Sequence, residues 1–335
     1  MINETRPEHF QNNSVIGRFL SRIHLDSLLL AGLILLSLLS CLILYSTSGQ
    51  HLETLLRQTT RIAIAFFIML FIAQIPPNQI KRYAVNLYII GILMLLAVLI
   101  IGEMGKGAQR WLDLGLFRFQ PSEMIKITTP AAIAWYFSEH ALPPRWKELF
   151  IALLLIAIPT FLIAKQPDLG TALLIASSGA AVFFFAGISW RIMLSSLGGL
   201  IALTPVLWHF MHDYQRARVI TFLNPESDPI GRGYHIIQSK IAIGSGGLYG
   251  KGWLESTQAK LEFLPERSTD FIFAVFAEEF GLLGCVSLLF LYLLITLRSL
   301  YIAVNAQDTF CRLLAGSLSF TFFVYVFVNI GMVIG

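Results

Sequence analysis

The stretch "LPERSTDFIFAVFAEEFGLLGCVSLLFLYLLITL" (264–297) decides how the chain is read. Its second half is apolar and has the length of a bilayer-spanning helix, about 20 residues. Its first half carries Glu266, Arg267, Asp270, Glu278 and Glu279. Ionisable groups next to hydrocarbon are costly, so each needs a partner, an aqueous face or a function. On a helix turning about 100° per residue, Glu278 lies about 80° around from Asp270 and Glu279 about 180°. The three carboxylates therefore do not share one narrow face. Asp270 stands at the aqueous edge, where capping a helix is sufficient reason for a carboxylate. Glu278 is expected to line the lower part of a cavity, and Glu279 to meet a neighbouring helix or a chain segment beyond Gly335, both as structural residues.

Composition extends this reading to the whole chain. Of its 335 residues 56% are hydrophobic and 13% charged, against about 25% charged in a soluble domain. Mean hydropathy is +0.70. Lipid is the implied solvent. Cys41, Cys285 and Cys311 lie in or beside apolar runs and form no CxxC pair, which fits small buried hydrophobes better than a disulfide framework or metal site. The net charge of +4 comes without a basic block, so nucleic acid has no support as a partner.

Apolar runs near 28–46, 62–76, 83–102, 124–139, 148–165, 169–189, 191–210, 270–297 and 310–335 are the candidate spans. The eighth is long enough to tilt. "IPPNQIKR" (75–82) and "HALPPRWKE" (140–148) separate spans, because Pro removes a donor and restricts the residue before it. The first span is read as uncleaved, since no small-residue cleavage site follows it. Two long connections, 102–124 and 211–269, are read as functional loops, and "YHIIQSKIAI" (234–243) as a short interfacial helix. Outside the two long connections, Arg6, Arg18, Arg22, Lys81, Arg82, Arg145, Lys147, Arg191, Arg298 and Arg312 fall on the side of the N-terminus, against Arg57, Arg61 and Lys165 opposite. That bias orients the N-terminus to the cytoplasm. The two long loops then gather Lys106, Arg110, Arg118, Lys126, Arg216, Arg218, Arg232, Lys240, Lys251, Lys260 and Arg267 on the far face. An anionic ligand there accounts for the charge, although long loops also escape the orientation rule.

Local motifs each admit a bland and a functional reading. In "RFQPSEMIKI" (118–127), Pro121 suits a first helical turn and Ser122 could cap it. Glu123 and Lys126 share a helical face, as an interfacial salt bridge or as part of a site. Asp168 in "KQPDLG" (165–170) stands at an N-cap position. "GSGGLYGKGW" (244–253) matches neither a P-loop nor GxGxxG. It reads as a flexible turn, with a backbone nest for an oxyanion as the alternative. His209 and His212 lack a third ligand and read as structural.

Taken together, "KGAQRWLDLG", "RFQPSE..K", "QPDLGT", "GYHIIQSKIAIGSGGLYGKGW" and "LPERSTDFIFAVFAEE.G" resemble the SEDS family (shape, elongation, division and sporulation) from about His24 to Gly335. The resemblance implies an all-α polytopic membrane protein with about nine transmembrane helices here, where the family fold has ten. It implies a single integral domain over 1–335, with a large periplasmic loop at 211–269 between helices 7 and 8. The family pattern runs on past "VNIGMVIG" (328–335), so the chain is expected to be truncated at the C-terminus, with part of the cavity wall missing. The implied activity is a peptidoglycan glycosyltransferase of the inner membrane that polymerises lipid II on the periplasmic face. Its implied partners are a class B penicillin-binding protein, the elongation transpeptidase, and other membrane proteins of the elongation complex. The essential aspartate falls on Asp270. The substrate cavity falls on Arg118, Gln120, Glu123, Lys126 and Asp168, with Lys106, Arg110 and Lys251 as further cations. The residue two before the aspartate, often His in the family, is Ser268 here. A divalent cation such as Mg2+ or Mn2+ could assist, but no ligand cluster marks a site for it. A lipid II flippase and a non-catalytic scaffold of the elongation complex are the competing readings.

Overall fold

The computed structural model describes residues 23–105, 108–113, 115, 118–210, 216–217, 220–221, 224, 232–261, 263–264 and 266–335. The chain divides into two compact units, one ending at Pro76 and the other running from Pro77 to Gly335. The first contains α1 (Ser27–Thr47) and α2 (Leu52–Ala73), which pack on each other. Asp26 caps α1 by accepting from the Leu29 amide at 2.9 Å. Helix α2 starts ten residues before the apolar run expected at 62–76, because its first turns carry Arg57 and Arg61 on an exposed helical surface. Glu53 and Arg57 pair there at 3.5 Å.

The second unit contains α3 (Pro77–Ile101), a small sheet β1 (Glu103–Gly105), β2 (Ala108–Asp113) and β3 (Arg118–Phe119), then α4 (Pro121–Ser138), α5 (Trp146–Lys165), α6 (Leu169–Phe185) and α7 (Trp190–Phe210). After these come α8 (Arg232–Ser245), α9 (Thr257–Lys260), α10 (Ile272–Val304) and α11 (Thr309–Ile334). Among the described residues six helices, α1, α2, α3, α5, α10 and α11, are long and apolar enough to cross a membrane. Helices α4, α6 and α7 also fall on expected spans, but are shorter or less apolar. Helix α4 is the hub, packing on α3, α5, α6 and α11. Ile133, Ala134 and Phe137 join Ala84, Ala152, Val182 and Leu313 in the core. Lipid tails give apolar helices little reason to associate, so close approach and polar contacts hold such bundles. Accordingly, Tyr88 donates to the Leu155 carbonyl at 2.9 Å, Gln166 to that of Leu95 at 3.1 Å and Ser317 to that of Ser178 at 2.7 Å. Arg216 closes the C-terminus of α7 by donating to the carbonyls of Trp208 (3.0 Å) and His209 (2.7 Å).

Several expectations change. The connection 102–124 contains an antiparallel sheet, in the order β1-β2-β3, whose strands are too short to show alternation in sequence. Ser122 does not cap α4. The cap position is Gln120, Pro121 is the first helical residue and Ser122 is buried inside the first turn. The eighth span is not one straight helix, because α10 is broken at Gly281 (φ 65°, ψ −164°). The segment 234–243 is helical as expected and lies within α8, packed on α10 and α11.

Candidate active site

The polar residues of the second unit assemble from two directions. The first group surrounds the start of α4. The sheet folds over this end, with β2 packing on both α3 and α4. From β2, Arg110 reaches the α5–α6 turn, donating to the Pro167 carbonyl at 3.2 Å and pairing with Asp168 at 3.4 Å. Asp168 meanwhile caps α6, accepting from the Thr171 amide at 3.2 Å, as its position predicts. Arg118 of β3 pairs with Glu103 of β1 at 3.2 Å. One turn into α4, Lys126 is buried and pairs with Glu123 at 2.7 Å. Its ammonium also lies 5.0 Å from the centre of the Tyr325 ring of α11, within cation–π range. Gln120 is half-buried at the head of the same helix. Arg110, Arg118, Gln120, Glu123, Lys126 and Asp168 thus occupy one end of the bundle. Lys106 and His212 lie outside the described residues.

The second group is built around the break in α10. A broken helix strands carbonyls on one side and amides on the other, and these need new partners within a membrane protein. The segment 246–252 supplies them. Lys251 and Gly252 amides donate to the carbonyls of Glu278 and Glu279, both at 3.0 Å, and the Leu282 and Leu283 amides donate to Gly247 (2.9 Å) and Leu248 (3.2 Å). Glycine makes this approach possible. A Cβ on Gly250 would lie 2.1 Å from the Glu279 carbonyl oxygen, and one on Gly281 would lie 2.3 Å from the Gly250 nitrogen. The glycine-rich stretch read as a flexible turn is therefore a docked plug.

Glu278 fastens the same joint. Its side chain is 0% exposed and accepts from Lys251 Nζ (2.6 Å), Thr257 Oγ1 (2.7 Å), the Thr257 amide (3.0 Å), the Gln258 amide (3.3 Å), Ser245 Oγ (3.4 Å) and Ser256 Oγ. It lines no open space, contrary to its expected place in the lower cavity. Glu279 is buried beside it, as expected of a residue meeting its neighbours.

Asp270 is the opposite case. It lies in the turn before α10, outside the helix. The cap position belongs to Phe271, so capping does not explain the aspartate. Phe271 is buried against Ala242, Leu264, Ala274, Val275 and Val333, which pins the turn while Asp270 stays exposed. The Asp270 carboxylate makes no hydrogen bond or ion pair with the described residues. Helix α11 connects the two groups, since Tyr325 touches Lys126 and Val333 packs with Phe271. Those two positions are roughly 12 Å apart along the helix axis.

Tyr325 and Glu103 escaped the sequence reading. The signal for Tyr325 is a hydroxyl-bearing ring in an apolar span, which needs a polar neighbour; for Glu103 no sequence signal exists. Among the described residues no group of three or more His, Cys, Asp or Glu could hold a metal ion. Glu103, Glu123, Asp168 and Glu278 already carry cationic partners. The described residues therefore do not gather a divalent-cation site.

Comparison with known proteins agrees with this architecture. The FtsW/RodA/SpoVE model, described as cell cycle protein, matches residues 19–335. The peptidoglycan glycosyltransferase MrdB of Escherichia coli K12 is 54% identical over 318 residues, covering 95% of this chain and 86% of that protein. The Helicobacter pylori J99 protein of the same name is 36% identical over 321 residues, covering 93% and 82%. Among solved structures, the rod shape determining protein RodA of Thermus thermophilus superposes with a TM-score of 0.68 at 26% identity, covering 92% of this chain and 85% of that one. A chain from a peptidoglycan synthase complex that coordinates polymerization and crosslinking superposes with a TM-score of 0.80 at 28% identity, covering 92% and 87%. The chain is a multi-pass helical membrane protein and belongs to the FtsW/RodA/SpoVE family.

Proposed function

We propose that this protein is a peptidoglycan glycosyltransferase that polymerises lipid II into glycan strands during cell elongation, with Asp270 as the general base. The observation that carries the reading is the Asp270 carboxylate, exposed and without a hydrogen bond or ion pair among the described residues, in a turn whose Phe271 packs on the same helix α11 that touches Lys126. Lipid II presents its sugar on a pyrophosphate, already a good leaving group, so the reaction needs a base and cationic help more than a dedicated acid. A glycosidase would instead want two carboxylates flanking one bond. Asp270 accepts the proton of the acceptor sugar's 4-hydroxyl. The freed oxygen attacks C1 of the donor sugar with inversion, the C1–O bond to the pyrophosphate breaks, and the lipid pyrophosphate leaves as an anion.

Lys126, Arg118 and Arg110 lie where that charge would be stabilised. Each already has a carboxylate partner, so the pyrophosphate competes with Glu123, Glu103 and Asp168 for them. The Arg118–Glu103 pair is exposed and opens easily. Lys126 is held by Glu123 and Tyr325 in a fixed position. Gln120 supplies a neutral amide at the rim. In this reading residues 1–335 form one integral domain of the inner membrane, with the N-terminus cytoplasmic and both the site and the loop 211–269 periplasmic. A class B penicillin-binding protein cross-links the product.

A lipid II flippase is favoured by one feature, the interrupted helix α10, since transporters place broken helices at their binding sites. Here the interruption is filled by the protein's own backbone, which favours the enzyme. The experiment supplies lipid II to the purified protein, in detergent and in vesicles, with and without a class B penicillin-binding protein. Polymer that disappears in Asp270→Asn supports the enzyme. Transbilayer movement without polymer supports the flippase, and partner binding with neither activity supports a scaffold.

A further inference from the structure

We infer that Glu278 and Lys251 form a positioning clamp for Asp270, and that Lys251 acts through Glu278 rather than on the substrate. The inference deepens the reading of Asp270 as the base and rests on it. A carboxylate offers about four lone-pair sites. Glu278 receives six donors, from Ser245, Lys251, Ser256, Thr257 and Gln258. It has no capacity left for a substrate proton, which removes it as a second base. An ammonium has three donors, and Lys251 places two of them inside the protein, on Glu278 at 2.6 Å and Thr257 Oγ1 at 2.9 Å. Its contacts face the protein.

The bonded groups come from the end of α8, the loop 246–256 and the start of α9, and all converge on the half-helix 272–280. That half-helix begins at Asp270's turn and ends at the break. Helix α8 touches it twice, through Ser245 at Glu278 and through Ala242 beside Phe271. Gly281 would otherwise act as a swivel, because its left-handed backbone uncouples the two halves of α10. With Glu278 bound, loop and half-helix move as one body and Asp270 keeps its place. Released, the half-helix rotates at Gly281 and carries Asp270 away. A shift of about 1 Å at a reacting group can cost roughly a hundredfold in rate.

The test uses Lys251→Met, Glu278→Gln and the double variant. Two readouts are taken: kcat and KM for lipid II polymerisation, and the distance distribution between spin labels at Tyr249→Cys and Thr269→Cys with Cys41, Cys285 and Cys311 replaced by Ser. The clamp predicts that each single variant lowers kcat by roughly tenfold to a hundredfold while KM stays within about twofold, that each broadens the distance distribution, and that the double variant is no worse than the more severe single one, as expected of coupled residues. Lys251→Met that raises KM at unchanged kcat, with an effect additive to Glu278→Gln, would place Lys251 on the substrate and overturn the inference. An unchanged distance distribution in both single variants would overturn it as well. The distance readout does not involve Asp270's chemistry. Full activity of Asp270→Asn would remove the base, while a broadened distribution would still establish the joint.

Discussion

Glu278 and Asp270 are eight residues apart in one segment, yet they are opposites. Glu278 is fully buried and saturated with donors, whereas Asp270 is exposed and uses none among the described residues. Burial of a charge is tolerated only with full pairing, so Glu278 has to be structural. An exposed carboxylate that neither caps nor pairs contributes little to folding and remains available for chemistry. The pairing state of each acid, more than its presence in the segment, thus distinguishes the two.

The contrast can be broken at several points, with effects that diminish in order. Glu278→Ala removes the acceptor for Lys251, Ser256 and Thr257 and should destabilise the protein by about 3 kcal/mol or more, read as a lower melting temperature in detergent. Gly281→Ala and Gly250→Ala push a methyl into facing backbone and should each cost on the order of 2–3 kcal/mol, measured the same way. Lys126→Met removes the most buried cation of the α4 entrance. It should weaken transition-state stabilisation by about 1.5–3 kcal/mol, a tenfold to hundredfold fall in kcat/KM for lipid II. Asp168→Ala deletes the α6 cap and the partner of Arg110, and should cost about 1 kcal/mol of stability. Arg118→Gln breaks an exposed pair, so its effect on melting should be within about 1 kcal/mol; any larger consequence should appear in lipid II binding.

Much of the fold was legible because apolar runs of membrane length have few other outcomes. The nine apolar runs all fall on helices, and the Glu123–Lys126 and Asp168 readings followed from spacing within one helical turn. What escaped the sequence was set by distant contacts. "FIFAVFAEEFGLLG" (271–284) looks continuous, and Gly281 breaks it only because a segment some thirty residues earlier docks there. Glu278 finds its lysine 27 residues away, a separation that carries no periodic signal. Arg57 and Arg61 looked like loop residues because charge was weighed above helical continuity. At the candidate site, residue types were legible and pairing was not: Arg118 and Lys126 stand out in the sequence, but Glu103 and Tyr325, which contact them, do not.

The central claim, that Asp270 is the base, is tested most directly by comparing wild type with Asp270→Asn for both glycan polymerisation from lipid II and melting temperature in the same detergent. The account predicts that polymer formation falls by about 10²–10⁴ while the melting temperature is unchanged, because the carboxylate supports no contact in the described fold. Polymerisation at the wild-type rate by Asp270→Asn would contradict it.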